Sequence, residues 1–335
     1  MNSSSSFLLD IAGVNILIEA DKRALFHALK AFFAGYKTRD IKAPQAAPQH
    51  HIHVKLYVSR KIRLRYDKSV PLLFTYGIIK GYALDNDTLL LCDQKTSMII
   101  NTKERKAVVF VDRATLGKYP ELVSIFLALA LIELLRYHNL YYLHAGAVTD
   151  NRHSILLCGM SMSGKTTLTL GLALNGYTLC SDDAVLLARR RKKLTAIGFK
   201  RNIHATRNTV LHYRHLLNDV QLPKPPSRKS LIPYTHFKTV DSVIPDSILF
   251  IELGKKQKTE MTPLSKTQAM SLLIPQSLSM VFFNKLYVDR HIQTLKMLLN
   301  QAGAYRCVCG RDLLKDPLIV IDLLHKAKGD KNVVL

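Results

Sequence analysis

The sequence lacks three features that are typical of secreted and membrane proteins. Its five cysteines are an odd number without a paired framework, which favours reduced thiols. Residues 1–6 contain no basic residue, and Asp10 interrupts the apolar run that follows, so we expect no secretory leader. The most apolar stretch, 122–135, contains Glu133 and is too short to cross a bilayer. We therefore expect a cytoplasmic protein without a transmembrane segment.

Acidic residues are scarce in comparison with basic ones. The chain has 25 Asp and Glu against 48 Lys and Arg, which gives a net charge of +23. A charge of this size is typical of proteins with acidic partners, but it is also a general habit of basic proteomes. No pattern of interleaved aromatic and basic residues accompanies it, so nucleic acid is not the expected partner. The sequence is compatible with a homo-oligomer and does not determine the oligomeric state.

A glycine-rich pattern stands in the middle of the chain. Residues 159–166 read Gly-Met-Ser-Met-Ser-Gly-Lys-Thr, which fits the phosphate-binding P-loop G-x-x-x-x-G-K-[ST]. The apolar run 154–158 before it is typical of a buried parallel strand, and 166–174 after it favours a helix. In this order, the backbone N–H groups of the loop and the start of the helix converge on phosphate oxygens. The pattern therefore predicts a site for a nucleoside triphosphate.

Residues of this pattern have expected roles in binding a nucleotide. Lys165 is expected to reach the β- and γ-phosphates, and the hydroxyl of Thr166 is expected to bind Mg²⁺. The expected cofactors are therefore ATP and Mg²⁺, although the pattern does not separate ATP from another nucleoside triphosphate. The expected nucleotide-binding residues are Gly159, Ser161, Ser163, Gly164, Lys165, Thr166 and Thr167.

Two adjacent carboxylates follow at close spacing. Gly176 is expected to end the helix, a short strand follows, and Asp182 stands seventeen residues after Lys165 with Asp183 next to it. This spacing predicts that the second strand is the immediate neighbour of the first, with its carboxyl end beside the loop. One carboxylate would bind Mg²⁺, and the other would take a proton from an attacking hydroxyl. The spacing does not decide which carboxylate has which role.

Together these residues resemble the core of the bacterial HPr kinase/phosphorylase family. The resemblance covers about 45 residues without a gap from Lys165 to the Asp pair, and it extends upstream to His144-Ala-Gly-Ala-Val148, which is similar to the His-Gly strand of that family. The rest of the chain is more similar to divergent HPr-kinase-related proteins, some of which occur in peptide-modification gene clusters.

The resemblance implies an α/β fold with a P-loop kinase core of the HPr kinase/PEP carboxykinase type. It implies ATP- and Mg²⁺-dependent transfer of the γ-phosphate to a hydroxyl, with a serine of a protein or peptide as the expected acceptor. It also places His144 close to the active carboxylate, where it orients that group or adjusts its pKa. By resemblance, Asp182 is the expected base, and Asp183 with Thr166 the expected metal ligand. A small-molecule kinase, for example for free serine, and a non-catalytic, nucleotide-dependent binding module are the alternatives.

The segment after the Asp pair departs from the family. Residues 186–230 contain twelve Lys or Arg and one acidic residue, and 195–210 contain no carboxylate, where the family has a Glu followed by Arg-Gly. The resemblance therefore does not extend to HPr as the substrate, to the reverse phosphorolysis, or to a metal ligand from this segment. Arg201 is expected to contact phosphate or substrate. Residues 189–193 predict an exposed hairpin turn and 223–229 a flap over the site, and the cations favour an acidic acceptor.

Two domains are expected. Residues 1–115 alternate polar and apolar residues over several short runs, including a basic run at 60–65, and predict a β-rich α+β domain that serves as scaffold or substrate-docking surface. Residues 116–335 form the expected catalytic domain, which begins with a helix at Pro120.

Overall fold

The computed structural model describes residues 5–41, 50–59, 70–76, 78–92, 96–113, 120–217, 219–222, 229–277 and 285–329. The basic run at 60–65 and most of the predicted flap, 223–228, lie outside these residues. The chain is a mixed α/β structure that divides into two compact units, Met1–Tyr141 with Leu278–His291 and Tyr142–Ser277 with Ile292–Leu335. This division differs from the predicted domain boundary at 115/116, because the helix at Pro120 belongs to the first unit.

The first unit is built on one large sheet. Its elements are β1 (Ser5–Ile11), β2 (Val14–Ala20), α1 (Arg23–Phe32), β3 (Thr38–Ile41), β4 (Ile52–Ser59), β5 (Leu72–Tyr76), β6 (Ile79–Ala83), β7 (Thr88–Cys92), β8 (Ser97–Asn101), β9 (Lys106–Asp112) and α2 (Pro120–Arg136). The strand order is β3-β1-β2-β4-β9-β8-β7-β6-β5. Strict alternation in β9, where Ala107, Val109 and Val111 are buried, shows why such runs form strands with one face in the core. The β-rich character predicted for this part of the chain is confirmed.

The second unit carries the glycine-rich pattern. Its elements are β10 (Tyr141–Leu143), which begins with the last residue of the first unit, β11 (Ala145–Thr149), β12 (Ser154–Cys158), α3 (Lys165–Leu174), β13 (Thr178–Ser181), β14 (Val185–Arg190), β15 (Lys193–Gly198), β16 (Ile203–Ala205), α4 (Arg207–His212), β17 (Ser230–Ile232), β18 (Ser242–Val243), β19 (Ser247–Leu253), β20 (Glu260–Pro263), α5 (Lys266–Ser277), α6 (Lys285–Gln301), β21 (Gly303–Cys309), α7 (Asp312–Lys315) and α8 (Ile319–Gly329). Helix α6 starts in the 278–291 segment that is assigned to the first unit.

The central sheet of the second unit has the order β13-β11-β12-β19-β21-β20. β12, β19 and β21 are parallel, whereas β11 runs antiparallel to both of its neighbours. The prediction that β13 is the immediate neighbour of β12 is therefore wrong. β11 and β12 are consecutive in the chain and pair from Ala145↔Cys158 to Thr149↔Ser154, and this local hairpin occupies the edge of β12 that β13 would need.

The hydrophobic core of this unit lies between the central sheet and α3. Leu168, Leu170 and Leu172 of α3 are buried against Leu179 of β13 and Leu249 of β19. Full burial of one such side chain stabilises the fold by roughly 1.5–3 kcal/mol, so the helix after the loop is anchored firmly to the strands around it. Among the described residues, no helix is both long and apolar enough to cross a membrane.

Candidate active site

The loop 159–164 connects β12 to α3, and the geometry of its backbone favours glycine at positions 159 and 164. A Cβ on Gly159 would lie 2.6 Å from the carbonyl oxygen of Ile251. Gly164 has φ +93° at the N-cap of α3, a left-handed conformation that favours glycine. Met162 adopts φ +67° without being a glycine, which costs about 1–3 kcal/mol in strain. The surrounding structure thus holds Met162 in a backbone conformation that a methionine disfavours.

The start of α3 presents donors and a cation to the loop. The first N–H groups of a helix have no intrahelical acceptor and carry partial positive charge, so those of Lys165 and Thr166 are available to an anion. The ammonium of Lys165 donates to the carbonyl oxygen of Gly159 at 2.6 Å and to that of Met160 at 3.2 Å. Burial lowers the pKa of Lys165, and the negative charge of Asp183 opposes this effect. The buried ammonium therefore lies over the loop and binds its backbone carbonyl oxygens.

The four hydroxyl groups of the predicted nucleotide site have different surroundings. Ser161 is exposed, and the Oγ of Ser163 is buried without a hydrogen-bond partner in the described part of the chain. Thr166 is half-buried. The Oγ1 of Thr167 lies 2.8 Å from the Oγ1 of Thr209, so a hydrogen bond between these two side chains connects α3 to α4.

Asp182 and Asp183 follow β13 at the carboxyl edge of the central sheet, one strand away from the loop. The strand between them, β11, approaches closely because it contains a glycine. A Cβ on Gly146 would lie 2.5 Å from the Oγ1 of Thr169 and 3.1 Å from the carbonyl oxygen of Asp182. The His-Ala-Gly sequence thus brings His144, at the start of β11, between the carboxylates and the loop.

Asp183 is the centre of a cluster of charged and polar side chains. Its Oδ1 lies 3.3 Å from the Nδ1 of His144, and its Oδ2 is paired with the guanidinium of Arg201. The backbone N–H of His144 donates to the carbonyl oxygen of Gln276 at 2.9 Å. Burial lowers the pKa of His144, and the charge of Asp183 opposes the shift. The imidazole and the carboxylate therefore lie within ion-pair distance of each other.

The two carboxylates have different surroundings and opposite pKa shifts. Asp182 is buried, whereas Asp183 is half-buried. Burial, together with the charge of Asp183, raises the pKa of Asp182 to about 7. Burial alone would also raise the pKa of Asp183, but neighbouring cations, led by Arg201, hold it below its usual value. Asp183 is therefore an anion at neutral pH, whereas Asp182 holds its proton more tightly than an ordinary aspartate does.

The structure brings most of the predicted site residues to one edge of the sheet, places Lys229 of the predicted flap near them, and adds two residues that the sequence reasoning missed. Lys229 contributes positive charge that lowers the pKa of Asp183. Gln276 holds the backbone of His144, and Thr209 holds Thr167. Lys229 belongs to the basic segment after the Asp pair, so its charge was a usable signal. Gln276 and Thr209 carry no signal of this kind, because their roles depend on contacts between distant parts of the chain.

Comparisons with known proteins give a likeness to solved structures. No family model matches this chain, and no curated protein matches it. Among solved structures, the chain is similar to the HPr(Ser) kinase/phosphatase from Coxiella burnetii, with 12% sequence identity and a TM-score of 0.31. The match covers 57% of this chain and 98% of that one.

The opposite pKa shifts predict opposite effects of two matched substitutions on stability. The pKa of Asp182 is raised from 3.8 to about 7 on folding. Its ionised form therefore destabilises the folded state, and this cost is greatest once pH has risen through 7. We expect Asp182→Asn to raise Tm at pH 8, and to raise it less at pH 5. Thermal melting at both pH values measures this difference.

Asp183→Asn is the matched control. The pKa of Asp183 is lowered on folding, so the stability that it contributes is present above its unfolded value of 3.8 and is lost as pH falls below it. This substitution should lower Tm at pH 8. A fall in Tm at pH 8 for both variants would contradict the assigned environment of Asp182.

Proposed function

We propose that the protein is an ATP- and Mg²⁺-dependent kinase that transfers the γ-phosphate to a hydroxyl, with a serine of a protein or peptide as the acceptor. One observation carries the proposal: a buried lysine on a glycine-rich loop and a pair of carboxylates with opposite pKa shifts lie at the same edge of one sheet. Phosphoryl transfer needs this combination, because catalysis depends on compensating phosphate charge and on activating the attacking hydroxyl.

The residues present fit Mg²⁺ and a nucleotide. No group of three or more His, Cys, Asp or Glu that could hold a metal occurs in the described parts of the chain. Mg²⁺ in kinases needs no such group, because it keeps waters and is bound by one or two protein ligands and substrate phosphates. In the proposal these ligands are the hydroxyl of Thr166 and the carboxylate of Asp183, which its cationic neighbours keep ionised. When bound, the ion neutralises charge on the phosphates.

The other groups have complementary roles in the proposal. Asp182, with its pKa of about 7, is suited to accept the proton of the attacking hydroxyl near neutral pH. Lys165 compensates charge between the β- and γ-phosphates. His144 orients the carboxylate of Asp183, and Arg201 contacts phosphate or substrate from its position beside that carboxylate. The first unit acts as scaffold or substrate-docking domain, and the cytoplasmic location stays a prediction.

Two alternatives use the same loop. A small-molecule kinase would need the same residues, so substrate screening separates it from a protein kinase. A binding module without phosphoryl transfer would not need a buried carboxylate whose pKa is raised towards 7, since burial of Asp182 costs folding free energy. Incubation of the purified protein and Mg-ATP with the products of neighbouring genes, followed by mass spectrometry for one added phosphate, identifies a peptide acceptor directly.

Replacement of the loop lysine should abolish phosphoryl transfer. Lys165→Ala removes the cation that compensates charge on the β- and γ-phosphates, whereas the apolar core around α3 is unchanged. We expect loss of ATP turnover by at least about 10²-fold with Tm changed by only a few degrees. ATP turnover and thermal melting are measured on the same preparation.

Lys103→Ala is the matched control, because this lysine is exposed in a turn of the first unit. It should leave both turnover and Tm unchanged. Normal turnover by a folded Lys165→Ala variant would end the kinase hypothesis.

Substitutions of the two carboxylates should have different effects on nucleotide binding and on turnover. Asp183→Asn should weaken Mg²⁺-dependent nucleotide binding, because it removes the ionised metal ligand. Asp182→Asn should leave nucleotide binding intact and reduce turnover by roughly 10²–10⁴-fold, the usual contribution of a general base. Nucleotide titrations with and without Mg²⁺, together with kcat, measure both effects. If neither substitution slows transfer to any acceptor, the pair is structural.

The hairpin between β14 and β15 supports an acidic acceptor within the proposal. The predicted exposed turn is confirmed: all of its five consecutive cations are exposed, and none has an ion-pair partner among the described residues (Arg189, Arg190, Arg191, Lys192 and Lys193). β14 starts two residues after Asp183 and ends at Arg190, so the tip of the hairpin lies at most roughly 26 Å from the carboxylates along an extended chain. A peptide would span this distance with about eight extended residues.

Acidic residues placed about eight positions from the target serine should therefore lower KM more than acidic residues placed next to it. The triple change Arg190→Ser, Arg191→Ser and Lys192→Ser should raise KM for the distal acidic peptide by about 3–10-fold and leave KM for a neutral peptide unchanged. The effect should weaken at high salt, because the interaction is exposed to solvent.

The control removes the same number of exposed cations elsewhere in the second unit, with Arg311→Ser, Lys315→Ser and Lys326→Ser. This variant should behave like the wild type with both peptides. Equal KM values for acidic and neutral peptides, independent of salt, would remove the acidic acceptor and leave the kinase assignment in place.

A further inference from the structure

A cavity of about 320 Å³ lies beside the loop, at the carboxyl end of β19. In the sheet order, β11 and β13 stand on one side of β12 and β19 stands on the other, and the cavity lies on the β19 side. It is bounded by the loop, by the carboxyl end of β19 and by the end of α5, and all three elements belong to the second unit (Gly159–Ser163, Phe250–Leu253, and Leu272 with Pro275 and Gln276). The glycine-rich loop therefore has a charged flank and a cavity flank.

The walls of the cavity are largely apolar. Met160, Met162 and Leu253 line it and are 68%, 72% and 68% exposed, although large apolar side chains usually avoid water. A group of exposed apolar side chains around a concave site marks a ligand or partner surface. Thioether side chains are flexible and polarisable, so they adapt to the flat face of a ring. The chemistry of the walls thus fits a flat, partly apolar molecule.

One amide supplies polar recognition inside the cavity. Gln276 is 7% exposed, and its Nε2 donates to the sulfur of Met160 at 3.6 Å. Sulfur is a weak acceptor, so this buried amide has hydrogen-bonding capacity left for a ligand. The only charged residue among the described lining residues is Glu252, which is paired with Arg306 at 2.7 and 3.0 Å. This pairing limits its repulsion of a polyphosphate nearby.

We propose that this cavity binds the nucleoside of the triphosphate whose phosphates lie on the loop. The proposal rests on the kinase function proposed above. A polyphosphate that crosses the loop has its reacting end at the Asp pair, so its other end lies on the β19 side. The cavity volume is at the lower end of the range for small-molecule sites, about 300–1,000 Å³. The base packs against Met160 and Leu253, and the amide of Gln276, which has both a donor and an acceptor, pairs with its edge.

The test compares a ligand that has a nucleoside with one that has none. Mg-ATP and Mg-tripolyphosphate share the phosphate chain, and calorimetry measures the Kd of each. Leu272→Trp fills the cavity, and Gln276→Leu removes its amide at similar volume. We expect Leu272→Trp to weaken Mg-ATP binding at least about tenfold, which corresponds to about 1.4 kcal/mol, and Gln276→Leu to weaken it about three- to tenfold. Binding of Mg-tripolyphosphate should not change in either variant.

Leu314→Trp is the matched control, because this exposed leucine of α7 lies outside the cavity. It should leave both Kd values unchanged. If melting shows that Leu272→Trp does not fold, Gln276→Leu decides the outcome. Equal effects on both ligands, or no effect on either, in a folded cavity variant would overturn the nucleoside site.

Failure of the proposed nucleoside site can be distinguished from failure of the kinase proposal. If the wild type binds neither Mg-ATP nor Mg-tripolyphosphate, the proposed function itself is wrong, and the nucleoside site falls with it. If the wild type binds both and Lys165→Ala loses both, the phosphate site stands. The cavity variants alone then decide where the nucleoside lies.

Discussion

The close approach of β11 to its neighbours is the constraint on which the candidate site depends. Because residue 146 is a glycine, β11 lies against α3 and the backbone of Asp182 without a Cβ in the way. This approach places His144 at the edge of the sheet, where the chain passes from β10 to β11 and where the loop and the Asp pair converge. A larger residue at 146 would push β11 away from one of its partners, and the distance between the carboxylates and Lys165 would change with it.

The charges at this edge form one electrostatic unit. Burial raises the pKa of Asp182, and repulsion from the adjacent carboxylate of Asp183 adds to this shift. Arg201 and Lys165 keep the other ionised, since their charge outweighs the cost of burial for Asp183. Different solvation and different cation contacts therefore separate two chemically identical groups. Neighbouring titratable groups whose environments push their pKa values apart are typical of acid–base chemistry.

The loop between β12 and α3 separates two kinds of surface. On the β13 side it faces carboxylates and cations, and on the β19 side it faces apolar side chains and the amide of Gln276. A nucleotide has the same polarity along its length, with a charged end where bonds are exchanged and a flat, partly apolar end. The loop itself carries the strain of Met162, and tight packing of Gly159 against the backbone of Ile251 helps to hold it.

The local elements of the site could be predicted from the sequence alone. The apolar run before Gly159, the Gly164-Lys165 start of a helix and the strand before Asp182 all lie within a residue or two of their predicted positions, because their signals are local in the chain. The exposed cationic hairpin at 189–193 followed from the same kind of signal, since a run of like charges avoids burial. The β-rich character of the first unit followed from alternation.

Only the tertiary structure decided how these elements meet. Spacing along the chain favoured β12 and β13 as neighbours. Each edge of a strand pairs with one neighbour only, and β11 occupies the edge of β12 that faces β13. The different environments of Asp182 and Asp183 depend on burial and on Arg201, and neither can be inferred from two identical residues in the sequence. The sequence by itself determined which chemical groups the protein has and which local elements carry them. The tertiary structure decided their solvation and their partners, because both depend on contacts between residues far apart in the chain.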